Sequence, residues 1–394
     1  MPCRELQTPP SIQLVIDTTT NNTLPRSSRV NHKQSFTWLL SILARLHAGY
    51  FRIGLSFGSQ ALLWKMICQT CSTNHITNKI ISENASVLLN VLNILPSTTP
   101  LVFWCMSLLI LASLSVFYIL RCFFHFRLVK AELLHHVGVN YLFAPWTSWL
   151  LLLQSTPIIF IVPKTTTPYL ILWWAFTIPI IAFDVKIYGQ WFTTEKRFLS
   201  MVANPTSQIS VLGNLVGARA SAQIGWKETA VCMFSLGMVH YLVLFVTLYQ
   251  RFSGGDRLPA MLRPVFFLFI AIPSMASLAW SSISGSFGIG SKMLFFLSLF
   301  LFASLVSRPT LFKKSMKKFN VAWWAYSFPI TMLALASVEY AYEVKGHVAA
   351  ALMLLVSGLS FLVFLGLLLF TMLNVAKLLN ENDPILSFAK DPMA

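Results

Sequence analysis

The sequence predicts an all-α integral membrane protein with about ten transmembrane helices. Hydrophobic residues make up 56% of the 394 residues and charged residues only 11%, whereas soluble domains carry about 25% charged residues. Apolar stretches recur along the chain, and many are close to the roughly 20 residues that a helix needs to cross a bilayer. Lys and Arg are concentrated in every second connection between these stretches. Composition therefore predicts the class, and the connections predict the number of crossings.

The predicted spans follow the apolar stretches. They begin near His47, Leu101, Gly138, Tyr169, Gln208, Thr229, Pro264, Ser291, Asn320 and Val348. The connections after even-numbered spans are rich in Lys and Arg, and those after odd-numbered spans are poor in them. Because cytoplasmic loops hold the excess of basic residues, this alternation predicts ten spans with both termini in the cytoplasm. It also accounts for the net charge of +16 without a nucleic-acid partner.

Three regions follow along the chain. Residues 1–40 form a polar tail rich in Ser, Thr, Asn and Pro, which predicts a disordered cytoplasmic segment. Residues 41–378 form the ten-helix transmembrane domain, and residues 379–394 form a short cytoplasmic tail. The first apolar run begins only near Phe36, so no signal peptide is expected.

Two local motifs are weak. Cys68 and Cys71 form a lone CxxC pair without a second pair at zinc spacing, which favours two unpaired thiols over a disulfide. Asn84-Ala85-Ser86 is a sequon in the connection after the first span, so Asn84 is a candidate for glycosylation.

The predicted spans are of two kinds. Even-numbered spans are near-continuous apolar runs, whereas odd-numbered spans carry Gly, Pro and polar residues; Pro179 and His240, in the fourth and sixth spans, blur this tendency. Small residues also permit close helix packing, which explains part of the pattern. The fifth span, with Gln208, Asn214 and Arg219, is too polar to face lipid. We therefore expect the odd-numbered helices to be enclosed by the even-numbered ones and to line a pathway.

The residues along this pathway favour anions. The odd-numbered spans carry Arg52, Lys65 and Arg219 but almost no carboxylate at depth, the exception being Glu339 near one end. A pore with bases and without acids selects for negative ions. Proton-coupled carriers usually hold chains of buried Asp, Glu or His, so passive flow is favoured. No Walker loop, HExxH motif, nucleophile elbow or dinucleotide fingerprint stands out, so neither an enzyme nor a cofactor is expected.

Several strings resemble a known family. They include "LHAGYFRI", "GVNYLFAPW", "DVKIYGQWF", "VANPTSQISVLGNLVGAR", "RPVFFLFIAIPSMASLAW" and "FNVAWWAYSFPIT". In collinear order from about His47 to Leu378, the chain resembles the slow-type (S-type) anion channels of plants, within the tellurite-resistance/dicarboxylate transporter family. Its short tails are similar to those of the short-tailed members.

The resemblance implies architecture and partners. It implies a plasma-membrane homotrimer with a pore in each subunit, built from five helical hairpins in a quasi-five-fold arrangement with the odd helices inside. It implies permeation of chloride and nitrate. Long-tailed members of the family are opened by a kinase that phosphorylates the N-terminal tail, and the tail of about 40 residues here departs from that pattern and leaves kinase control open. The short tails make assembly with a longer-tailed paralogue an alternative to the homotrimer.

The resemblance also implies a gate. The aromatic plug of the family corresponds to Phe328, beside Pro329, and a second aromatic corresponds to Tyr141, with Phe143 as the alternative. From the residues alone, Phe328 is either a constriction or a packed core side chain. Kinks are expected at the prolines of the odd spans, which are Pro145, Pro273 and Pro329.

Other polar residues have two interpretations each. Arg219 and Lys65 either attract anions at the outer mouth or snorkel to the interface. Ser148 either offers a hydroxyl donor that tunes nitrate against chloride or bonds back to its own helix. Three functions therefore compete: an anion channel, an anion or dicarboxylate carrier, and a non-conducting subunit that modifies a paralogue.

Overall fold

The computed structural model describes residues 38–77, 98–157, 166–193, 203–253, 260–317 and 319–380. The chain divides into a unit of residues 1–41 and a unit of residues 42–394, and the second unit contains every element discussed below. Within the described residues the secondary structure is helical and contains no strand. The all-α prediction is confirmed.

Thirteen α-helices are assigned in the described residues between Phe51 and Asn380. They are α1 (Phe51–Thr77), α2 (Thr99–Phe124), α3 (Phe126–Leu134), α4 (Gly138–Tyr141), α5 (Phe143–Gln154), α6 (Thr167–Thr193), α7 (Gln208–Ile224), α8 (Lys227–Ser253), α9 (Leu268–Ser284), α10 (Ile289–Val306), α11 (Pro309–Lys313), α12 (Trp324–Val344) and α13 (His347–Asn380).

Helices that follow one another along the chain pack as pairs. The pairs are α1 with α2, α5 with α6, α7 with α8, α9 with α10 and α12 with α13. The turn between α7 and α8 needs only Gly225 and Trp226. Gly225 has φ +97°, a left-handed conformation that glycine adopts without a steric penalty. Such a short turn forces two neighbouring helices to run in opposite directions.

One member of each pair belongs to a closed ring. α1 packs on α5, α5 on α7, α7 on α9, α9 on α12, and α12 on α1. The five partners pack outside this ring. Burial follows the same division: 94% of the most apolar part of α12 is buried, against 11% for α2. The polar, kinked spans of the sequence are therefore inside, as their composition predicts.

Seven helices in the described residues are long and apolar enough to cross a membrane. They include all five outer helices and, of the inner ones, α9 and α12 with their preceding turns. α1, α5 and α7 hold the first, third and fifth predicted spans but are not among the seven; α5 has 12 residues and α7 has 17. A multi-pass membrane protein is confirmed, and the count of ten crossings stays a prediction.

Four of the ring helices begin with a 3₁₀ turn, and the same cap recurs at three of them. The side chains of His47, Asn204 and Asn320 each accept a hydrogen bond from the backbone N–H two residues on, before α1, α7 and α12 respectively. Such caps satisfy donors that a helix end leaves open. The sequence thus sets the starts of these three helices through a single polar residue each.

The remaining ring helix is interrupted by a proline. Pro145 has no N–H to donate to the carbonyl of Tyr141, four residues earlier. The chain accordingly breaks at Leu142, whose N–H makes a tighter bond to the Val139 carbonyl oxygen at 3.2 Å. This break separates the single turn α4, which carries Tyr141, from α5.

Candidate functional site

A small cavity lies where the ring helices α1, α7, α9 and α12 meet the single turn α4 that precedes α5. Its lining residues are Arg52, Leu55, Tyr141, Ile209, Val265, Leu268, Trp324, Ala325 and Phe328. These residues come from α1, α4, α7, α9 with its preceding turn, and α12. The cavity volume is about 10 Å³, about the minimum that admits one water molecule. The interior of the ring is therefore closed at this level.

Phe328 forms part of the cavity wall and is only 2% exposed. Trp324 and Ala325, on the same helix, also line the cavity. Because Pro329 follows directly, the carbonyl of Ala325 loses its helical N–H donor. The ring helix that carries Phe328 therefore lacks one backbone hydrogen bond at the level of the cavity.

Tyr141 and Phe143, the two alternatives for a second aromatic, point to different places. Tyr141 is fully buried and lines the cavity. Phe143 is equally buried but packs on Phe183 of the outer helix α6, with 5.5 Å between ring centroids. Of the two, only Tyr141 shares the cavity with Phe328.

Arg52 brings a buried positive charge to the same cavity. Its Nε donates to the Gly49 carbonyl oxygen at 2.8 Å, while both terminal nitrogens are buried and have no hydrogen-bond partner within the described ranges. The guanidinium carbon lies 4.9 Å from the centroid of the Tyr141 ring. A buried charge without a counter-ion is costly, so this position favours an anionic ligand.

The ends of the ring helices add to that preference. Arg52, Ile209, Leu268 and Trp324 each lie at the first or second position of their helices, α1, α7, α9 and α12. These helices therefore point their N-termini at the same level of the ring. Helix N-termini carry partial positive charge and attract anions.

A second polar contact crosses the ring further along the helices. Nη2 of Arg219, on α7, lies 3.2 Å from Oε1 of Glu339 on α12 and 3.4 Å from the sulfur of Met66 on α1. Neither α12 nor α1 is adjacent to α7 in the ring, so the Arg219 side chain spans the interior. Arg52 and Met66 are 14 positions apart on α1, or about 21 Å at the helical rise. The charge of Arg219 is thus balanced by Glu339, at a level of the ring well removed from Arg52.

Other predicted site residues lie in helix contacts. Lys65 donates to the Gln154 carbonyl oxygen at 2.8 Å, at the C-terminus of α5. Ser148 donates to the Ala144 carbonyl oxygen at 2.7 Å, which is the back-bonded arrangement. Pro273 lies within α9. Asn84 and the Cys71 side chain lie outside the described residues, while Cys68 is described and is not in a disulfide.

Sequence reasoning missed two kinds of residue. The aliphatic residues of the cavity wall, such as Ile209 and Leu268, carry no signal that distinguishes them from core residues. Asp184 is buried and bonds to Asn214 of the ring helix α7, although its position next to Lys186 indicates only a helix end. A carboxylate inside a predicted span is itself the signal that would have found it.

A closed ring of enclosed helices, occluded at a level with unbalanced positive charge and surrounded by apolar helices, defines a membrane channel for anions. Residues 45–372 match the family model described as "Voltage-dependent anion channel", the SLAC1 family. The chain belongs to the SLAC1 family of anion channels.

Three curated relatives from Arabidopsis thaliana illustrate the similarity. The chain is 56% identical to S-type anion channel SLAH1 over 90% of this chain and 88% of the relative. It is 51% identical to S-type anion channel SLAH4 over 95% and 96%, respectively. It is 41% identical to guard cell S-type anion channel SLAC1 over 88% of this chain and 59% of the relative. The family and these relatives are channels and not enzymes, as the sequence predicts.

Proposed function

We propose that this protein passes chloride and nitrate passively across the plasma membrane, through a conduit inside the helix ring of each subunit. The observation that carries the proposal is the Arg52 guanidinium, whose two terminal nitrogens are buried without a hydrogen-bond partner among the described residues, in a cavity lined by α4 and four of the ring helices. A permeating anion would compensate that charge. The printed names of the relatives, S-type anion channels, support the same ion class.

Phe328 is the gate in this proposal, and Tyr141 faces it as the second aromatic. The cavity between them admits about one water, so a hydrated anion cannot pass. An anion also cannot shed its water cheaply beside apolar side chains. Turning one aromatic ring costs on the order of 1 kcal/mol, which makes opening inexpensive once the surrounding helices allow it.

The test is the anion current of Phe328→Ala in oocytes. We expect a larger chloride and nitrate current than in the wild type, since the truncation widens the cavity. Phe143→Ala is the matched control, because it removes the same ring from a fully buried site that faces α6 and not the cavity. Surface labelling confirms equal amounts of each variant at the membrane.

Unchanged current in a well-expressed Phe328→Ala variant would refute the gate. Equal increases in both variants would show that loosened packing, and not a plug, had been removed. Flux against the anion gradient would identify a carrier in place of a channel.

Assembly is proposed on the family resemblance. We expect a homotrimer, or a heterotrimer with a longer-tailed paralogue, with both termini in the cytoplasm and a kinase as regulator. Native mass spectrometry gives the copy number, and protease protection of terminal tags gives the orientation. Recording the protein alone and together with a paralogue separates a conducting channel from a silent subunit that alters its partner's current.

A further inference from the structure

A second polar site lies behind the ring, between the outer helix α6 and the ring helix α7. Asn214 Nδ2 donates to Asp184 Oδ2 at 2.7 Å. Asp184 is 5% exposed and Asn214 is fully buried. Asn214 follows Ile209 of the cavity wall by five positions, about 7.5 Å along the helix. The pair is thus separate from the conduit but attached to one of its walls.

The Asp184–Asn214 pair lacks one hydrogen-bond donor. Asp184 Oδ1 and Asn214 Oδ1 are both buried, and neither has a hydrogen-bond partner among the residues that the structure describes. The orientation of the Asn214 amide is supported by its Nδ2, which also lies 3.4 Å from the Ser210 carbonyl oxygen. An ionised carboxylate has no hydrogen to offer, so it would leave both oxygens unsatisfied.

The neighbouring hydroxyls are engaged in a chain of bonds. Ser210 Oγ donates to the Ser207 carbonyl oxygen at 2.8 Å, and the Tyr188 hydroxyl lies 2.9 Å from Ser210 Oγ. The Tyr188 hydroxyl also interacts with the Asp184 carboxyl group, yet Asp184 Oδ1 has no donor at hydrogen-bonding distance and angle among the described residues.

Among the described residues, Asp184 forms no ion pair with a basic side chain. The ion pairs in the described residues are Arg121–Glu132 and Arg219–Glu339, and Asp184 takes part in neither. Asp184 lies inside the apolar helix α6, seven positions before the end of its membrane-spanning stretch at Trp191. An isolated carboxylate at such depth is expensive and is usually neutralised.

We propose that Asp184 is a proton-binding site, with the acid O–H donating to Asn214 Oδ1 while the amide N–H donates back. A carboxylic acid and a carboxamide can form such a cyclic pair, in which one proton satisfies both open oxygens. The ligand is a proton alone, because the pair needs one hydrogen and no further charge.

The site has a consequence for conduction, and this part rests on the proposed channel function. Loss of the proton would place a negative charge beside the N-terminal half of α7, close to the cavity that favours anions. Conduction should therefore fall as the pH rises. The other titratable or charged groups on α6, α7 and α8 are Tyr169, Lys186, Tyr188, Arg219, Lys227, Glu228, Cys232, His240, Tyr241, Tyr249 and Arg251. Of these, Tyr188 interacts with the Asp184 carboxyl group, and His240 stacks on Tyr188 with 3.3 Å between ring centroids.

The first test is infrared spectroscopy of the purified protein at neutral pH, which needs no channel activity. We expect a carbonyl stretching band of a protonated carboxyl group in the wild type and its loss in Asp184→Asn. Glu339→Gln is the matched control and should keep the band, because Glu339 is ion-paired with Arg219. Asn214→Ala should keep the band but shift its frequency, because the acceptor of the acid proton is gone.

Identical carboxyl bands in wild type and Asp184→Asn would overturn the proposal, since a buried water would then be the donor. The second test is current against cytosolic pH in a Phe328→Ala background. The current should fall on alkalinisation with Asp184 present and stay at its acidic level with Asp184→Asn, while His240→Gln keeps the response. If the band depends on Asp184 but no variant conducts, the proton site stands and the channel proposal fails.

Discussion

Arg52 is buried, whereas arginine side chains are mostly exposed unless they are paired. Its side chain is enclosed and held at Nε by the Gly49 carbonyl, and its two terminal nitrogens have no hydrogen-bond partner in the part of the chain that the structure describes. The His47 and Arg52 side chains can lie this close to residue 49 because residue 49 is a glycine. A Cβ there would lie 2.5 Å from the His47 ring and 3.2 Å from Arg52 Nη2. The local sequence thus positions the Arg52 guanidinium so that its terminal nitrogens can bind an anionic ligand.

We predict that Arg52→Gln lowers chloride conductance about tenfold in a Phe328→Ala background. A hydrogen bond to a charged group contributes about 1.5–3 kcal/mol, and 1.4 kcal/mol corresponds to about a factor of ten. Arg52→Lys, which keeps the charge, should retain most of the conductance. Single-channel recording checks both values. Equal losses in the two variants would assign Arg52 a packing role.

At the scale of elements, the outer face of α1 shows how the ring packs. Gly54 and Gly58, one turn apart, bring α1 close to α2 and α5. A Cβ at Gly54 would meet Leu111 at 3.2 Å and Ser148 Oγ at 3.3 Å, whereas at Gly58 the nearest atom would be Leu151 Cβ at 3.4 Å. The contacts of a Cβ at position 54 would thus be shorter than ordinary van der Waals contacts, whereas the contact at position 58 would not. Small residues therefore determine the approach of these helices.

We predict that Gly54→Ala is less stable than Gly58→Ala, by on the order of 1 kcal/mol, the lower end of overpacking penalties. Both substitutions bring the same gain in helix propensity, so their difference reports packing. Thermal unfolding in detergent measures it. Equal melting temperatures would mean that Leu111 and Ser148 move aside freely.

At the scale of the whole molecule, the Arg219–Glu339 pair joins ring helices that are not neighbours. The side chain of Arg219 reaches α12 and α1 across the ring interior. One interpretation of the sequence was that Arg219 is an unpaired base that attracts anions at the outer mouth of the pore. In the structure Arg219 is instead paired with Glu339. The pair neutralises that base and occupies the interior at the end opposite Arg52, so an anion entering there must compete with Glu339 for Arg219.

We predict that Glu339→Gln raises anion conductance severalfold in the Phe328→Ala background, at low anion concentration on the outer side. The change removes the competitor and leaves Arg219 to bind the entering ion. Arg219→Gln should abolish the increase when combined with it. Concentration–conductance curves provide the measurement. Lower conductance in Glu339→Gln would instead indicate that the ion pair holds the ring open.

Much of the architecture was predictable because a bilayer constrains a sequence strongly. Lipid-facing helices must be apolar all round, and a helix such as α7, with Asn214 and Arg219, must be enclosed. The contrast between the two kinds of span therefore predicted which helices lie inside. The capping residues Asn204 and Asn320 mark helix starts for an equally local reason, since their side chains bond two positions ahead.

Three-dimensional packing alone decided which residues meet. Tyr141 and Phe143 are two positions apart, yet the break at Leu142 directs one ring to the cavity and the other to Phe183. Arg219 and Glu339, 120 positions apart, form a pair that no local pattern indicates. Asp184 differs from an ordinary helix-end acid only because α7 presents Asn214 to it. The sequence by itself determined an enclosed, positively charged set of membrane helices, because lipid penalises each misplaced polar group separately. Only the closed ring decided the occlusion, the crossing ion pair and the buried acid–amide pair, because these depend on distances between helices far apart in the chain.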